Sequence, residues 1–590
     1  MKTRILNAVL VACAVGATGP VQALDDGDGT ANNCNEFNVL RNPYFGDLHV
    51  HTTLSLDASG FGTTTTPAQA YEFAKGQLIG LHPFDQMGDP LRSAQIDRPL
   101  DFAMVSDHAE DIDAAGWQAV QAAAALHYDR STDCEFTTFV GYEWTRSPIL
   151  LNEFGQIEGL NLHRNVLFRN SVVPASAVSA QVVKFPEILW DSLQGECIDL
   201  VDGNNYCDVL TIPHNSNFSQ GLMFEAFRPG GAPYDQNYAQ RRARFEPLIE
   251  VIQHKGQSEC LFSANDELCT MELVPFGHLL APWTGATQPK EESTIRWALT
   301  EGLSLKEQVN ANPLRFGMVG GTDTHLGTPG LVEESAAYPG LFVDPPPPEG
   351  EGVTDWIEMN PGGLAVIWAE QNSRAALFDA MQRRETYATS GPRHVVRFFA
   401  GWDLPSDMCA LPNAVDIGYA NGVPMGSILP FALQGETTPQ FFVSAMKDAG
   451  TLAHPGNDLQ RIQIIKGWID TNGDKHEQVF DVAGDPFNGA GVDLNTCATT
   501  GTGFSNLCQV WQDPNFELDE NAYYYARVVE NPSCRWQQRQ CVEATVPINC
   551  ADPGSVPPEY AACCDEDFPK TVQERSWTSP IWYDKPPPGC

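Results

Sequence analysis

The chain has 590 residues, of which 42% are apolar, so it can form about two to four domains with sizeable cores. With 75 acidic and 35 basic side chains, its formal net charge is −40. A surface of this charge repels nucleic acid and anionic membranes, and we exclude both as partners. An anionic substrate would need local positive charge from metal ions or from buried Arg and Lys.

The N-terminus is typical of an export signal. Lys2 and Arg4 precede a mostly apolar stretch from Ile5 to Ala17, and the small-residue sequence VQA ends at Ala23. We therefore expect residues 1–23 to be removed as a signal peptide. A lipoprotein cleavage box at Cys13 is the weaker alternative, because the apolar run before it is short. No later stretch approaches the ~18 apolar residues of a membrane span, which predicts a periplasmic or extracellular protein.

Cysteine usage agrees with export. Of sixteen cysteines fifteen remain after cleavage, and none has the doubled C-x-x-C spacing of a zinc ribbon. Disulfides in an oxidising compartment are the better interpretation, and the odd count leaves one cysteine over. Sequence cannot fix the connectivity, but we expect local pairs: Cys197/Cys207, Cys260/Cys269, Cys497/Cys508, Cys534/Cys541, and Cys550 with Cys563 or Cys564.

After a leader at 24–43, one pattern recurs from residue 44 to about 330. A short apolar run ends in a polar side chain that could bind a metal, in the segments YFGDLHVH, DFAMVSDH, TTFVGYEW, LHRNVLFR, VLTIPHNS, PLIEVIQH and RFGMVGGTDTH. Helical stretches at 67–76 and 114–127 separate some of them. This alternation predicts an α/β fold with a (β/α) barrel, in which functional side chains gather at the C-terminal ends of the strands. LHRNVLFR is the exception, because His163 opens the run. That strand runs antiparallel, or His163 enters from a loop.

The rest of the chain changes character. Residues 331–372 are rich in Pro and Gly and predict a surface excursion, and 373–384 predict an amphipathic helix that closes a domain spanning 44–394. From 395 to 590, short alternating runs between turn residues predict a β-rich, sandwich-like domain. The segment Asp470-Thr-Asn-Gly-Asp474 resembles a calcium loop, but its glycine is misplaced for an EF-hand, so an Asn-Gly hairpin is favoured.

Two chelating pairs stand at strand ends. Residues i and i+2 of a strand point to the same side, so His49 and His51 can grip one ion, and the same spacing recurs at Asp323 and His325. A lone His-x-His is more often a pair of ordinary polar residues. Two such pairs favour a metal site, and further ligand-type side chains stand at other strand ends: His108, Glu143 and His214.

The motifs HVHTTLSLD, SDH, GYE and GTDTH resemble, in this order, those of the PHP (polymerase and histidinol phosphatase) superfamily over about residues 44–330. The whole chain, including QHKGQSE and TSPIWY, resembles a subfamily of long exported PHP-like proteins catalogued as a domain of unknown function. The resemblance implies a distorted seven-stranded (β/α) barrel, in agreement with the seven runs.

The resemblance also implies two or three divalent metal ions, either zinc, manganese or iron. Asp57 stands where the superfamily often has histidine; it is a competent but harder ligand. The His163 assignment is the weakest, because its strand position is the exception described above. The implied ligands form three groups: His49, His51 and Asp323; Glu143, as a bridge, with His163 and His214; and Asp57, His108 and His325.

The predicted chemistry is ester hydrolysis, because divalent ions lower the pKa of a bound water and neutralise the oxygens of a tetrahedral anion. His254 is the candidate acid for the leaving group; its alternative is a metal-bound or structural histidine. Lys255 and Arg164 are candidate contacts to the oxyanion; their alternative is a surface or ion-paired role. Asp107 and, with less support, Asp47 are predicted to orient ligands.

Three functions remain open. A phosphoesterase acting on a small anionic ester leads, and a sulfate-ester or other anionic-ester hydrolase on the same cluster is the runner-up. The third is a secreted binding protein in which metals hold the fold together. Carboxylates among the ligands, on a barrel with an open mouth, favour catalysis over a closed structural site. No G-x-S-x-G motif of a serine hydrolase is present.

Overall fold

The computed structural model describes residues 33–586 except 152–156, 200, 203–204, 227–230, 262–265, 275–289, 336, 341–351, 433–437 and 453. The predicted signal peptide, most of the leader and part of the Pro/Gly-rich excursion lie outside the described residues and stay predictions. Within the described ranges, every helix is too short or too polar to span a bilayer.

The helices of the described part are short, and several begin at a capping side chain. The side chains of Thr66, Asp113 and Ser373 each accept a backbone N–H from the first turn of the following helix, which pairs a donor that the helix leaves free. The three helices predicted from sequence begin at these residues and are confirmed. The described residues form nine α-helices: α1 (Leu56–Gly60), α2 (Pro67–Ala74), α3 (Ala114–His127), α4 (Pro186–Leu193), α5 (Gln236–Phe245), α6 (Ile295–Val309), α7 (Arg374–Gln382), α8 (Ala414–Asn421) and α9 (Trp536–Glu543).

The strands of the first part of the chain include all seven predicted runs. They are β1 (Asn42–Asp47), β2 (Ile79–Phe84), β3 (Pro90–Ala94), β4 (Phe102–Met104), β5 (Thr137–Trp144), β6 (Ile149–Leu151), β7 (Ile157–Gly159), β8 (Arg164–Phe168), β9 (Val201–Asp202), β10 (Asn205–Tyr206), β11 (Val209–Pro213), β12 (Leu248–Gln253), β13 (Gly256–Gln257), β14 (Gly317–Gly320), β15 (Leu364–Ala369) and β16 (Thr386–Thr389).

The second part of the chain is β-rich, as the alternating runs predict. Its strands are β17 (Val395–Gly401), β18 (Gly422–Pro424), β19 (Ile428–Leu429), β20 (Gln440–Met446), β21 (Leu459–Ile469), β22 (Lys475–Gly484), β23 (Gly491–Asp493), β24 (Ala498–Thr500), β25 (Asn506–Gln512), β26 (Asn521–Glu530), β27 (Ser533–Cys534), β28 (Thr571–Val572), β29 (Arg575–Thr578) and β30 (Ile581–Tyr583).

One sheet of thirteen strands runs through the described molecule, in the order β11-β8-β5-β4-β1-β15-β16-β29-β26-β21-β22, with β19 and β30 to the side. Strand β4 is parallel to β1 and β5, whereas β8 is antiparallel to β5 and to β11. Of the two alternatives for LHRNVLFR, the antiparallel strand is therefore confirmed, and His163 itself lies in the loop just before it. Because of this direction, the start of β8 lies at the same sheet edge as the ends of β1, β4, β5 and β11.

The predicted barrel is not closed by hydrogen-bonded strands in the described part of the chain. Strands β12 and β14 pair in parallel in a separate sheet with β13. The segments after β1 and β14 nevertheless meet, since His49 O accepts from Asp323 N at 2.9 Å and Thr324 O accepts from His51 N at 2.8 Å. The fold is a mixed α/β structure with a large sheet and a β-rich C-terminal region.

The C-terminal region has two layers of strands. A four-stranded sheet, β18-β17-β20-β25, packs on the end of the large sheet, where the rings of Phe441 and Tyr524 lie 4.3 Å apart. The large sheet continues from the first part of the chain into this region, and a domain boundary at 394/395 stays a prediction. The hairpin expected at 470–474 is confirmed: it joins the antiparallel strands β21 and β22, and Gly473 takes a φ of 87° there.

Seven disulfide bonds connect the described cysteines, which fits a secreted or periplasmic protein. Two predicted local pairs, Cys497/Cys508 and Cys534/Cys541, are wrong. Cys508 is in β25, which pairs with β20 beside the turn that carries Cys409, and tertiary neighbours replace sequence neighbours there. Cys590 lies outside the described residues. The bonds are Cys34–Cys134, Cys197–Cys207, Cys260–Cys269, Cys409–Cys508, Cys497–Cys534, Cys541–Cys563 and Cys550–Cys564.

Candidate metal centre

The edge where β1, β4, β5 and β11 end collects the predicted metal ligands. Six of the nine predicted ligands follow, precede or belong to strands at this edge; Asp323 and His325 follow β14 of the separate sheet, and Asp57 lies in the first turn of α1. His163 comes directly before β8, whereas the other ligands at this edge follow or end their strands. Because β8 is antiparallel to its neighbours, its start lies at the same sheet edge, and so does His163. The predicted ligands are therefore close in space although they span about 280 residues of sequence.

Glu143, at the end of β5, is the carboxylate around which the histidines gather. Its Oε1 lies 2.7 Å from His163 Nδ1 and 3.3 Å from His214 Nε2. Its Oε2 lies 3.2 Å from His51 Nε2 and 3.5 Å from His49 Nε2. One carboxylate thus faces ligand atoms on both of its oxygens, which is the arrangement that a bridge between two ions requires.

Asp323 forms a second such centre. Its Oδ1 lies 3.0 Å from His51 Nε2 and 3.3 Å from His49 Nε2. Its Oδ2 lies 3.2 Å from His254 Nε2 and contacts Lys255 Nζ. Asp323 has a φ of 56°, in the left-handed region that few residues other than glycine adopt, and this turn brings its carboxylate to the histidines.

Asp57 is the carboxylate of the third group of predicted ligands and lies between two histidines. Its Oδ2 lies 3.0 Å from His108 Nε2 and 3.1 Å from His325 Nε2. The carboxylate is 38% exposed, whereas the histidine rings around it are buried. This group therefore faces the solvent side of the cluster.

The ligand sets overlap, so they form one continuous cluster. His49, His51, Asp323 and His325 each belong to two sets, and His254 joins the ligands that the sequence predicts. The described sets whose ligand atoms lie within 4.8 Å of one another at this edge include His49/His51/Asp323, His49/Glu143/His214, His51/Asp57/His108/His325 and His254/Asp323/His325.

The residues fit a divalent ion, because buried histidine nitrogens point at the carboxylates without hydrogen bonding to them. The Nε2 atoms of His49 and His51 are buried and have no hydrogen-bond partner, although carboxylate oxygens lie 3.0–3.5 Å away. On the other side of each ring, His49 Nδ1 lies 3.1 Å from Glu250 Oε2 and His51 Nδ1 lies 2.9 Å from Ser55 Oγ. A proton on each Nδ1 leaves the Nε2 lone pair free for a metal.

Asp107 and Asp47 support the ligands from behind. Ser55 Oγ donates to Asp107 Oδ1 at 2.9 Å, so it accepts from His51 Nδ1 and fixes that ring. Asp47 Oδ1 accepts from the backbone N–H of His49 at 3.1 Å and of Thr322 at 3.2 Å. Asp47 therefore holds together the two segments that carry the chelating pairs.

Sequence reasoning missed Glu250, the partner of His49. It is in β12 and is buried, and a Cβ added at Gly321 would lie 2.4 Å from its Oε2. Because Gly321 has no Cβ, the turn that carries Asp323 can lie against this carboxylate. The available signal was a single acidic residue inside the apolar run PLIEVIQH, since a buried lone charge requires a partner.

The carboxylates of the cluster stabilise positively charged groups beside them. Burial alone would lower the pKa of His51, but the adjacent carboxylates of Asp323 and Glu143 raise it to about 10. Burial would raise the pKa of Glu143 and Asp323, but the surrounding histidines, and Lys255 beside Asp323, hold both well below the usual value. Carboxylates that remain ionised when buried are suited to binding divalent cations.

The three candidate catalytic residues are placed differently. Lys255 lies beside Asp323, as an oxyanion contact requires. Burial and the charge of Lys255 lower the pKa of His254 to about 3, so this ring is neutral near pH 7 and is available as a ligand. Arg164 is not brought to the cluster: its Nε bonds Glu246 Oε1 at 2.8 Å and Nη1 bonds Leu162 O at 2.6 Å. The catalytic roles of Lys255 and His254 stay predictions. The role of Arg164 as an oxyanion contact also stays a prediction.

Comparison with known families agrees with the resemblance to a domain of unknown function. The model of the family described as "Protein of unknown function (DUF3604)" matches residues 38–115 and 109–585. The chain belongs to the DUF3604 family. No curated protein matches the DUF3604 chain.

Among solved structures, a two-domain protein containing a predicted PHP-like metal-dependent phosphoesterase from Bacteroides vulgatus ATCC 8482 is similar to the DUF3604 chain. It is 9% identical, the alignment covers 84% of the DUF3604 chain and 94% of that chain, and the TM-score is 0.29. A likeness of this degree carries no argument about the fold or the activity.

Proposed function

We propose that this protein is an exported metal-dependent hydrolase of small anionic esters, and in the first place a phosphoesterase. The observation that carries the proposal is the pair of bridging carboxylates, Glu143 and Asp323, each facing histidine nitrogens on both sides. A structural metal site needs one closed set of ligands, whereas this cluster has overlapping sets and a solvent-facing side at Asp57.

Each residue has a defined role in this proposal. His49, His51 and Asp323 would hold a first ion, and Glu143, His163 and His214 would hold a second. Two or three ions bound here, of zinc, manganese or iron, would supply an activated water and neutralise the oxygens of a tetrahedral anion. Lys255 adds a further positive charge beside Asp323 for the developing negative charge of the ester. His254, whose ring is neutral near pH 7, would take up a proton from the attacking water and pass it to the leaving group.

We also propose that residues 44–394 form a distorted barrel of the PHP type. Strands β11 and β12 lie next to each other without pairing, and Thr211 Oγ1 of β11 donates to Phe245 O just before β12 at 3.1 Å. A bridge between Val50 and Thr324 joins the ends of β1 and β14. These contacts support a ring-like arrangement of the strands, although backbone pairing leaves it open. Export after cleavage at Ala23 is supported by the seven disulfides.

The test is metal content and ester hydrolysis on the purified mature protein. We expect two or more ions per chain and metal-dependent hydrolysis of p-nitrophenyl phosphate, with p-nitrophenyl sulfate and bis-p-nitrophenyl phosphate assayed in parallel. Because His49 belongs to two ligand sets and Asp57 to one, Asp57→Ala loses about one ion and His49→Ala loses more. His454→Ala, at an exposed histidine remote from the cluster, is the control.

The outcomes separate the three functions. Turnover of the sulfate ester alone would assign the same cluster to sulfate esters. Bound metal with no turnover of any ester would favour the secreted binding protein. A wild-type protein without metal, purified without chelators and supplied with zinc and manganese, would refute the proposal.

A further inference from the structure

A cavity of about 330 Å³ lies on the outer side of the sheet, beneath α4 and α5. Its volume is within the range of small-molecule sites. The lining is largely aromatic and apolar. It includes Leu162, Arg164, Trp190, Leu222, Tyr234 and Arg242.

This cavity shares a wall with the second set of metal ligands. The wall consists of the segments 146–148 and 162–164, which pair through Leu162 N and Arg146 O at 2.9 Å. The middle residues face the cluster: Ser147 Oγ lies 3.0 Å from His163 Nε2, and His163 contacts Glu143. The flanking residues, Arg146, Leu162 and Arg164 among them, face the cavity instead. Ser147 is exposed, so the edge of this wall is open to solvent at that residue.

The cavity is positively charged in a chain whose net charge is −40. Arg164 and Arg242 are both buried, and they share a single carboxylate, that of Glu246, at 2.8 and 3.0 Å. One positive charge is therefore left over in the wall. Lys184 and Arg146 add two more cations to the lining, against the carboxylates of Glu187 and Glu225. A buried excess of positive charge requires an anion or a strongly polar group.

The ring of Trp190 lines the cavity and carries an unpaired donor. Its side chain is 1% exposed, and its Nε1–H has no hydrogen-bond partner. Buried polar groups are almost always paired, so the orphaned N–H calls for a bound acceptor. The tyrosine ring of Tyr234 stands in the same lining and is held by Arg242 at 2.9 Å, which keeps the aromatic wall in place.

We infer that this cavity is the subsite for the organic part of the ester, an aromatic group that carries an acceptor or anionic oxygen. The inference rests on the proposed function for the reaction at the metal cluster. The aromatic walls contact the ring, Trp190 Nε1 donates to its oxygen, and the reacting phosphate lies across the Ser147 edge beside Glu143.

The test uses two esters and one product with the metal-loaded full chain. Leu222→Trp fills the cavity, and Leu126→Trp, at an exposed position of α3, is the matched control. We expect Leu222→Trp to raise the KM for p-nitrophenyl phosphate about tenfold and to change that for ethyl phosphate less than twofold. Leu126→Trp changes neither KM. Trp190→Phe keeps a ring but loses the N–H, and it provides the same comparison if Leu222→Trp does not fold.

Calorimetric titration with p-nitrophenol separates this inference from the proposed function. Binding by the wild type and Leu126→Trp but not by Leu222→Trp supports the subsite, even if no ester is hydrolysed. Absence of binding by the wild type, or equal binding by Leu222→Trp and Trp190→Phe, overturns it. An equal rise of the KM for both esters would also overturn it.

Discussion

Glu250 is the buried carboxylate that contacts His49, the first predicted metal ligand along the chain. It contacts His49 Nδ1 with both oxygens, at 3.1 and 3.2 Å, and touches the turn through Gly321. Carboxylates in this position fix the tautomer of a ligating histidine and make it a better electron donor. In the proposed metal site, the effect of Glu250 would therefore depend on its charge as well as on its hydrogen bond.

We predict that Glu250→Gln lowers metal affinity about tenfold, because the amide still accepts from His49 but no longer carries the charge. Competition with a chelator of known affinity measures the change. Glu72→Gln, at an exposed position of α2, is the control and leaves the affinity as it is. Unchanged affinity in Glu250→Gln would show that the contact is structural only.

At the residue scale, the sequence predicts ligands better than it predicts their supports. His49 and His51 were identifiable because their spacing has a chelating geometry in any strand. Glu250 and Ser55 have no such spacing, since they reach the histidines from another strand and from a helix start. The contacts of Arg164 with Glu246 and Leu162 could not be foreseen for a related reason: which face of β8 points inward is decided by its pairing with β5, and Asn165 takes the inward position.

At the scale of elements, the turn between β14 and Asp323 is the most tightly constrained part of the site. A Cβ at Gly321 would lie 2.4 Å from Glu250 Oε2 and 2.9 Å from the Cβ of His49. Real Cβ atoms do not approach other atoms that closely, so the turn or the carboxylate would have to move.

We predict that Gly321→Ala destabilises the protein by about 1–3 kcal/mol and weakens metal binding at the same time. Chemical denaturation of the metal-free protein gives the first quantity, and chelator competition gives the second. Gly195→Ala, whose Cβ would meet no atom within 4 Å, is the matched control. A loss of stability with unchanged metal affinity would mean that Glu250 is not part of the metal site.

The elements themselves were largely predictable. The three helices have capping residues, and the seven runs have the apolar composition of buried strands, so local sequence decides both. Pairing is not local. Sequence left the direction of β8 open, and it did not place β15 beside β1, because strands so far apart in sequence are joined only by the tertiary fold.

For the whole molecule, the pair formed by Arg98 and Asp448 is one of several ion pairs that connect the first part of the chain to the C-terminal region. Arg98 donates to both oxygens of Asp448, at 2.6 and 2.8 Å. Burial would raise the pKa of Asp448, but the hydrogen bonds from Arg98 and from the backbone N–H groups of Arg393 and Gly450 lower it to about 2.

We predict that this pair stabilises the protein above about pH 4 and that its contribution is lost as the pH falls towards 2. The pKa of the folded state is below that of an unfolded aspartate, about 4, so the unfolded state binds the proton first. Asp448→Asn should lower the free energy of unfolding at pH 7 by about 1 kcal/mol, with allowance for solvent screening. Denaturation at pH 7 and pH 3, with Asp89→Asn as an exposed control, measures the difference; an equal loss at both pH values would contradict it.

The continuity of the large sheet has a consequence for the time at which the chain can fold. Strand β16 pairs with β29, and Ser390 is hydrogen-bonded to Arg575, 185 residues later. During synthesis, the edge of β16 that pairs with β29 therefore stays unpaired until nearly the whole chain has emerged. Such long-range pairing is slow, and an open edge recruits other strands. A chaperone that holds the growing chain, or a pause before release, would act in this interval, and a chain shortened before β29 would keep the edge open permanently.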